Sequence, residues 1–321
     1  MREDMQPEDL AKLLEDLEHE ILLGCSNIGV LGATRATLRI LDALSTPGLT
    51  VSTTVYCDVP GLGPSDWLPY QALAGANHDV LVVAADDEKE EILAAALPHV
   101  VGAPRVLVAG YGHLAFRDEL FEKMTAELLV PSLANGYPNS LIHLYQCLTN
   151  AARLNLDGVV VEFGTFKGGT AMFLARVIKQ LGQAWPVLTF DTFDGFPPRR
   201  SPLDMYDHPD CVFADLGSVR QYLSGWNVEI ISGDIVDTAA AHLEGSRVVA
   251  AFVDTDNYSS AKAAVNVLRD QTVVGGAIVF DHLTGVDRFR YTLGERWAAR
   301  EMLDDPNYFN LHGTGVFIRQ R

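Results

Sequence analysis

Residues 159–170 read Val-Val-Val-Glu-Phe-Gly-Thr-Phe-Lys-Gly-Gly-Thr, and an apolar segment at 171–175 follows directly. Three β-branched residues before a carboxylate are typical of a buried strand, and the apolar residues after the glycines are typical of a helix. Gly164 allows the chain to turn back, while Gly168 and Gly169 allow a ligand to approach the backbone closely. The start of the helix leaves N–H groups that can bind an anion. The stretch therefore predicts a strand, a tight turn and a helix that together form a ligand site.

The spacing of these glycines limits the kind of ligand. The form E-x-G-x-x-x-G-G-T differs from the dinucleotide pattern G-x-G-x-x-G and lacks the G-K-[ST] ending of a phosphate-binding loop. The pattern favours a ligand whose carboxylate meets the turn, as the methionine end of S-adenosylmethionine does. The alternative is a turn that only connects a strand to a helix.

The composition is that of a globular protein with a large acidic excess. The chain has 321 residues, of which 48% are hydrophobic and 21% charged, and its formal net charge is −18. That charge repels nucleic acid and anionic membranes, and we expect neither as a partner. The cysteines have no C-x-x-C spacing, which favours reduced thiols over a zinc or redox motif. With no signal-peptide pattern and no membrane-length apolar stretch, the sequence predicts a cytoplasmic protein.

The length allows two domains with separate cores, and we place their boundary between residues 128 and 129. Residues 1–128 begin with an amphipathic helix over 7–23. Strands and helices then alternate, which predicts a small Rossmann-like α/β unit with a parallel sheet. The first predicted strand begins at residue 27, and three more cover 50–57, 79–84 and 105–109. The predicted helices between them cover 35–44 and 88–97.

The first unit carries part of a nucleotide-binding pattern. Residues 27–34, which contain Gly29 and Gly32, are predicted to form the first strand and the turn after it, and Asp58 follows the second strand. One hypothesis is a site for a nucleotide or a nucleotide-sugar at this crevice. The other is a scaffold that helps build a homo-oligomer or covers the second domain, and it is favoured because the glycine pattern is incomplete.

Residues 129–321 have the pattern of a complete doubly wound α/β domain, with five predicted strands at 158–163, 187–190, 228–231, 248–253 and 276–280. Each strand ends at an acidic residue, and these residues are Glu162, Asp191, Asp234, Asp254 and Asp281. In an open parallel sheet, ligands bind outside the carboxyl ends of the strands. Five acids at that edge therefore predict a binding site, although a single acid after a strand is usually a helix cap.

The order of the strands suggests a role for each acid. Asp191, after the second strand, can accept hydrogen bonds from both hydroxyls of a ribose. Asp234 follows the third strand, where an adenine would lie, and Ile235 offers it an apolar face. Asp254, Asp281 and His282 end neighbouring strands and can meet around a divalent cation.

The sequence predicts three groups of residues in the site. The catalytic candidates are Asp254, Asp256 and His282, although Asp256 is equally compatible with a solvated turn or a helix cap. The candidate metal ligands are Asp254, Asp281 and His282. The predicted cofactor-binding residues are Glu162, Gly164, Thr165, Phe166, Gly168, Thr170, Asp191, Thr192, Phe193, Gly233, Asp234, Ile235 and Asp254. Tyr137, Tyr145 and the segment 198–215 are candidates for a substrate lid or an oligomer arm.

From about residue 131 to 321 the chain resembles the macrocin O-methyltransferase family. The resemblance rests on the stretches 161–170, 232–235, 252–258 and 275–281, and above all on Phe-Asp-Thr-Phe-Asp-Gly-Phe-Pro at 190–197. It implies a class I S-adenosylmethionine-dependent fold, dependence on magnesium, and a sugar-like acceptor in natural-product (antibiotic) biosynthesis. The first unit lies outside the resemblance.

The chain departs from the family at one position. Where the family commonly has Asp-Asp-Tyr after the fifth strand, this chain has Asp281-His282-Leu283. We expect a divalent metal, magnesium or manganese. Because an imidazole ligand suits softer divalent ions better than magnesium, the alternatives are manganese or another ion, weak binding, or no metal at all. The favoured function is metal-assisted O-methyl transfer to a sugar or another hydroxylated small molecule. The alternatives are a catalytically altered S-adenosylmethionine-binding protein, and an oxidoreductase or epimerase that uses a nicotinamide cofactor on the first unit.

Overall fold

The computed structural model describes residues 5–46, 48–58, 66–134, 136, 139–284 and 290–321. The chain divides into two units, residues 1–116 and 117–321. The boundary predicted from the sequence lay further along the chain, between residues 128 and 129. The helix that precedes that position belongs to the second unit because the Phe121 ring packs edge-on against Phe173, with ring centroids 5.8 Å apart.

The first unit is an α/β structure with an all-parallel five-stranded sheet in the order β3-β2-β1-β4-β5. Its helices are α1 (Pro7–Leu22), α2 (Arg35–Leu44) and α3 (Lys89–Ala96), and its strands are β1 (Asn27–Leu31), β2 (Ser52–Cys57), β3 (Leu68–Pro69), β4 (Val80–Val83) and β5 (Arg105–Leu107). Leu13, Leu17 and Ile40 from α1 and α2 cover Val30 and Val82 on one face of the sheet. This amphipathic packing is what the helical spacing of the leucines in α1 predicted.

The glycine-bearing turn between β1 and α2 is closed by hydroxyl groups of the same unit. The Thr37 hydroxyl accepts from the Thr34 N–H at 3.2 Å and donates to the Gly32 carbonyl at 2.7 Å. The Thr34 hydroxyl accepts from the Thr37 N–H and donates to the Ala84 carbonyl. These bonds form a capping box at the start of α2.

The second unit contains a seven-stranded sheet in the order β11-β12-β10-β9-β6-β7-β8, in which β12 runs antiparallel to β10 and β11 and the other neighbouring pairs are parallel. Its strands are β6 (Val159–Phe163), β7 (Val187–Asp191), β8 (Val228–Ser232), β9 (Val248–Val253), β10 (Thr272–Phe280), β11 (Tyr308–Asn310) and β12 (Val316–Arg319). Its helices are α4 (Glu119–Ala126), α5 (Ser140–Arg153), α6 (Gly169–Gln180), α7 (Leu216–Leu223), α8 (Ile235–Leu243), α9 (Tyr258–Gln271) and α10 (Leu293–Leu303). This is the predicted doubly wound α/β fold. Among the helices of the described ranges, none is long and apolar enough to cross a membrane.

The strand register brings the acidic residues to one level at the edge of the sheet. Phe163 of β6 pairs with Phe190 of β7 and with Val253 of β9. The ladder continues past the strand ends, because the N–H of Asp254 donates to the Phe163 carbonyl and the N–H of Asp281 donates to the Val253 carbonyl, each at 2.9 Å. Strand order reverses at β6, so this edge is the topological switch point at which such sheets bind ligands.

Gly164 is required by the close contact of β6 with β9 at this edge. Its φ of +99° lies in the left-handed region. A Cβ atom at this position would lie 2.0 Å from the backbone oxygen of Asp254. A larger residue would therefore push apart the two strand ends that carry the site.

The buried carboxyl group of Glu162 leads to a prediction about stability and pH. Glu162 on β6 is fully buried and accepts a hydrogen bond from the Thr189 hydroxyl. Burial raises the pKa of Glu162 from 4.5 to about 8. An acid whose pKa rises on folding stabilises the folded state most when it is protonated. For Glu162 this stabilisation is fully present below its unfolded pKa of 4.5, and it is lost as the pH rises through about 8. We expect the free energy of unfolding to fall across this window by up to about 1.4 kcal/mol per pH unit.

Glu162→Gln keeps the shape of the protonated carboxyl group and removes its ionisation. Urea unfolding across this pH window should give a flatter dependence for the variant than for the wild type. Glu229→Gln, at an exposed position on β8, is the matched control and should keep the wild-type slope. Equal slopes for Glu162→Gln and the wild type would contradict the assignment.

Candidate active site

A cavity of about 390 Å³ lies at the carboxyl ends of the strands of the second unit. Its volume falls in the range of small-molecule sites. The residues predicted from the sequence that line it are Gly164, Phe166, Asp191, Thr192, Ile235, Asp254, Asp256 and His282. The further described residues that line it are Leu133, Gly195, Phe196, Pro197, Tyr206, Cys211, Thr255, Ser260, Tyr291 and Thr292.

The turn between β6 and α6 bends sharply beside the cavity. Phe166 has a φ of +49°, and Gly168, the N-cap of α6, has a φ of +83°. A left-handed conformation is costly for a phenylalanine, and such strain is concentrated at functional sites. A Cβ atom on Gly169 would lie 2.5 Å from the Pro131 carbonyl oxygen, so the segment before α5 packs directly on the start of α6.

Asp191 is held in place by the two aromatic residues that flank it in space. Its Oδ2 accepts from the Phe166 N–H and its Oδ1 accepts from the Phe193 N–H, both at 2.8 Å. The bond to Phe166 also stabilises the strained turn. Because each carboxylate oxygen has a second lone pair, Asp191 can still accept hydrogen bonds from a ligand in the cavity.

The other predicted cofactor residues are not among the described residues that line the cavity. Thr165 is buried, and its hydroxyl bonds the Thr189 hydroxyl. Thr170 bonds Ser132 at 2.6 Å. Glu162 and Phe193 are buried. Gly168 and Gly233 have positive φ angles, which a glycine adopts without strain.

Asp234 has partners within the protein at the position predicted to lie near an adenine. Its Oδ1 accepts from the Val236 N–H at 2.9 Å and so caps α8. Its Oδ2 lies 2.9 Å from a guanidinium nitrogen of Arg200. Ile235, the next residue, does line the cavity. At the predicted adenine position, Ile235 therefore supplies an apolar surface, whereas Asp234 binds Arg200 of the lid candidate 198–215.

Asp254, Asp256 and His282 form one cluster at the floor of the cavity. The His282 Nε2 lies 3.0 Å from Asp256 Oδ1 and 3.5 Å from Asp254 Oδ1. One candidate ligand atom from each residue lies within 4.8 Å of the others. The three side chains are 10–22% exposed, so they are desolvated but still reachable from the cavity.

Asp281, predicted as a metal ligand, lies behind this cluster. Its Oδ1 accepts from the Gly136 N–H at 2.8 Å, and the residue is 1% exposed. Its Oδ2 lies 3.5 Å from the His282 Nε2. The structure thus places Asp256, predicted as a catalytic residue, closer to the imidazole than Asp281.

The electrostatics of the cluster are set by burial and by close opposite charges. Burial disfavours the charged imidazole, but the carboxylates of Asp254 and Asp256 outweigh it and raise the pKa of His282 to about 12. Burial and the neighbouring Asp281 raise the pKa of Asp254 well above its ordinary value. Carboxylates at this spacing need a cation, a proton or an imidazolium between them.

Glu295 is a residue of the site that the sequence analysis missed. It is fully buried on α10, and burial raises its pKa to about 7. Its Oε2 accepts from the N–H groups of Thr255 and Asp256 at 2.9 and 3.0 Å, and its Oε1 accepts from the His282 N–H at 3.0 Å. The available signal was an acid at the helical spacing of the buried residues Ala298, Ala299 and Met302.

The lid candidate 198–215 is fixed to the start of α9. The Asp204 carboxylate accepts from the backbone N–H groups of Arg200, Ser201 and Ser259, each at 2.8 Å. Tyr206 and Asn257 exchange two hydrogen bonds of 2.9 Å. Tyr206 and Cys211 then face the cavity.

Tyr145 and Tyr137 were predicted as lid residues together with this segment. Tyr145 is buried on α5 and donates a hydrogen bond to Asp118 at 2.9 Å, and it is not among the described residues that line the cavity. Tyr137 lies outside the described residues.

Comparison with known proteins finds a matching family of methyltransferases. A family model described as macrocin-O-methyltransferase (TylF) matches residues 138–320. An 8-demethyl-8-(2,3-dimethoxy-alpha-L-rhamnosyl)-tetracenomycin-C 4'-O-methyltransferase from Streptomyces olivaceus is 25% identical over 192 residues, which are 56% of this chain and 72% of that protein. Two solved structures are similar at 19% identity. The O-methyltransferase NovP has a TM-score of 0.47 and is covered to 78% by 56% of this chain. The calicheamicin methyltransferase CalS11 has a TM-score of 0.44 and is covered to 95% by 64% of this chain.

Proposed function

Because the chain belongs to the macrocin O-methyltransferase family, we propose that it transfers a methyl group from S-adenosylmethionine to a hydroxyl group of a sugar or of a glycosylated small molecule. The observation that carries this proposal is that Asp191 and the cluster of Asp254, Asp256 and His282 line the same cavity. The name of the S. olivaceus relative, which describes a rhamnosyl-bearing acceptor, supports a sugar hydroxyl as the target.

The cavity fits the cofactor by the chemistry of its lining. Asp191 offers carboxylate oxygens for the ribose hydroxyls, Ile235 offers an apolar face for the adenine, and Gly164 lines the cavity at the turn where the methionine end would lie. S-adenosylmethionine supplies a methyl group that is already activated by its sulfonium. The protein therefore has to orient the acceptor and remove its proton.

Replacing Asp191 tests the cofactor side of the proposal. Asp191→Ala removes the acceptor for ribose hydroxyls and the partners of the Phe166 and Phe193 N–H groups. We expect S-adenosylmethionine affinity to fall by at least about tenfold, which corresponds to about 1.4 kcal/mol. Isothermal titration measures the affinity, with Asp194→Ala, an exposed acid of the same loop, as the matched control. Unchanged affinity in Asp191→Ala would remove this residue from the site.

The donor set at the floor of the cavity fits a divalent cation. Two carboxylates and one imidazole, with candidate ligand atoms within 4.8 Å of one another, can hold a divalent cation and leave positions for substrate, and the imidazole favours manganese over magnesium. Asp254, Asp256 and His282 would hold the ion. When bound, it would polarise the acceptor hydroxyl and lower the pKa of that group.

The proton of the acceptor hydroxyl has a candidate base in Asp256. Its carboxylate lines the cavity, and its Oδ1 lies 3.0 Å from the His282 Nε2. A carboxylate held in a partly desolvated site can take a proton as the methyl group is transferred. Until an ion binds, the His282 Nε2 contacts this carboxylate and also lies 3.5 Å from Asp254 Oδ1, so the imidazole orients both acids.

The acceptor itself would lie between this cluster and the lid candidate 198–215. Tyr206 packs edge-on against Phe196, with ring centroids 5.5 Å apart, and both line the cavity. Aromatic faces with nearby polar groups are suited to a sugar ring, which has apolar and hydroxylated sides.

Acceptor-dependent release of S-adenosylhomocysteine, screened over rhamnosylated aromatic compounds and nucleotide-linked deoxysugars, tests the function. Failure of both classes would contradict a sugar acceptor.

A further inference from the structure

A buried carboxylate on α10 joins the two loops that carry the catalytic candidates. Glu295 accepts from the N–H groups of Thr255 and Asp256 in the loop after β9, and from the N–H of His282 in the loop after β10. Both of its oxygens are used, and the residue has no exposure to solvent. A buried N–H group that loses its acceptor is costly, so the three bonds hold both loops to α10.

One of these bonds is made by a residue with an unfavourable backbone conformation. Asp256 has a φ of +59°, which lies in the left-handed region that non-glycine residues rarely adopt. Its N–H and that of Thr255 converge on Glu295 Oε2. This convergence offsets the conformational cost, and it directs the Asp256 side chain toward the His282 imidazole.

The position of Glu295 is itself fixed by close packing at the start of α10. A Cβ atom on the preceding residue, Gly294, would lie 2.3 Å from the Leu203 carbonyl oxygen and 2.7 Å from the Tyr258 nitrogen. The helix therefore approaches both the lid candidate 198–215 and the start of α9 as closely as a backbone can. Glu295 is a rigid point of attachment for the two loops.

We propose that Glu295 is a positioning residue for methyl transfer, which sets the distance between Asp256 and His282 through their backbone N–H groups. The inference rests on the proposed function, because it concerns the geometry of the proposed base. Glu295 does not line the cavity among the described residues, so it acts through the residues that do.

Glu295→Gln tests this role at nearly constant volume. The amide presents an N–H₂ group where one oxygen now accepts, so one of the two loops must lose its attachment. We expect kcat to fall by about 10- to 100-fold, the range for removal of a group that orients residues of a site, while KM for S-adenosylmethionine changes by less than about threefold. Amide hydrogen exchange should rise in segments 254–257 and 281–283 and stay unchanged in β6 and β7.

Asp305→Asn, just beyond the carboxyl end of the same helix, is the matched control. Asp305 is also buried and accepts from the Asn307 N–H at 2.9 Å and from Arg269 at 2.7 Å, away from the cavity. We expect it to lower the melting temperature and leave kcat unchanged, so that loss of stability and loss of positioning are separated.

The rates and the exchange pattern together decide the proposal. A fall in kcat for Glu295→Gln alone, with faster exchange confined to the two segments, supports it. A kcat within about threefold of the wild type, or an equal fall in Asp305→Asn, overturns it. If the wild type transfers no methyl group to any acceptor, the proposed function fails. The exchange pattern then decides whether Glu295 holds the loops, and unchanged exchange would overturn that role.

Discussion

Asp256→Asn should lower the rate of methyl transfer by about 10²- to 10⁴-fold, the usual effect of removing a general base. The amide keeps the size of the side chain and loses its ability to take a proton. Asp254→Asn should have a comparable effect, because the same cluster loses one of its two carboxylates beside His282. Neither change should alter S-adenosylmethionine affinity by more than about threefold if the main cofactor contacts are those of Asp191 and the glycine turn.

The rates would be measured with saturating cofactor in a single turnover. Asp270→Asn is the matched control, since Asp270 is exposed at the end of α9, next to the amino end of β10. Wild-type rates in Asp256→Asn would show that another group takes the proton. A large loss of cofactor affinity in Asp254→Asn would place Asp254 in the cofactor site as well, as the sequence predicted.

The second large effect concerns the divalent cation. Excess chelator should abolish turnover, and added magnesium or manganese should restore it, with manganese at least as effective because of the imidazole ligand. His282→Asp should shift the preference toward magnesium, since it replaces a nitrogen donor by a hard oxygen donor. His312→Asp, at an exposed position of the same unit, should leave the preference unchanged.

Full activity in excess chelator, with no metal found by elemental analysis, would contradict the cation site. The imidazolium of His282, whose pKa the adjacent carboxylates raise to about 12, would then be the positive group of the cluster. Asp256 would have to act as a base without help from a metal.

The sequence predicted the parallel part of the second sheet well, because its strands are continuous β-branched or apolar runs that end at an acid. Strand β9 was predicted with its observed bounds, Val248–Val253. The convergence of Asp191, Asp254 and His282 on one cavity followed from the rule that parallel strands end at one edge. The same rule does not give side-chain directions. It therefore could not predict that Asp281 accepts a hydrogen bond from Gly136 or that Asp234 pairs with Arg200.

The elements that were missed have weak local signals. Strands β11 and β12 are short, at Tyr308–Asn310 and Val316–Arg319, and their antiparallel pairing depends on contacts distant in sequence. Strand β10 begins at Thr272, earlier than predicted. Its pairing with β9 is irregular between Thr272 and Ala277, and the glycines at 275 and 276 in this interval interrupt the apolar pattern from which the strand was predicted. Glu295 could be found only by recognising that an acid on the buried face of a helix needs partners.

The proposed methylation of a sugar hydroxyl is tested most directly by following a labelled methyl group. The purified protein would be incubated with S-adenosylmethionine carrying a ¹³C-methyl group and with a rhamnosylated aromatic acceptor, and the product examined by mass spectrometry and NMR. We predict that the label appears on one oxygen of the sugar ring and that Asp256→Asn prevents its appearance. Tight binding of S-adenosylmethionine without transfer of label to rhamnosylated or nucleotide-linked sugars would contradict the claim and identify a cofactor-binding protein without this activity.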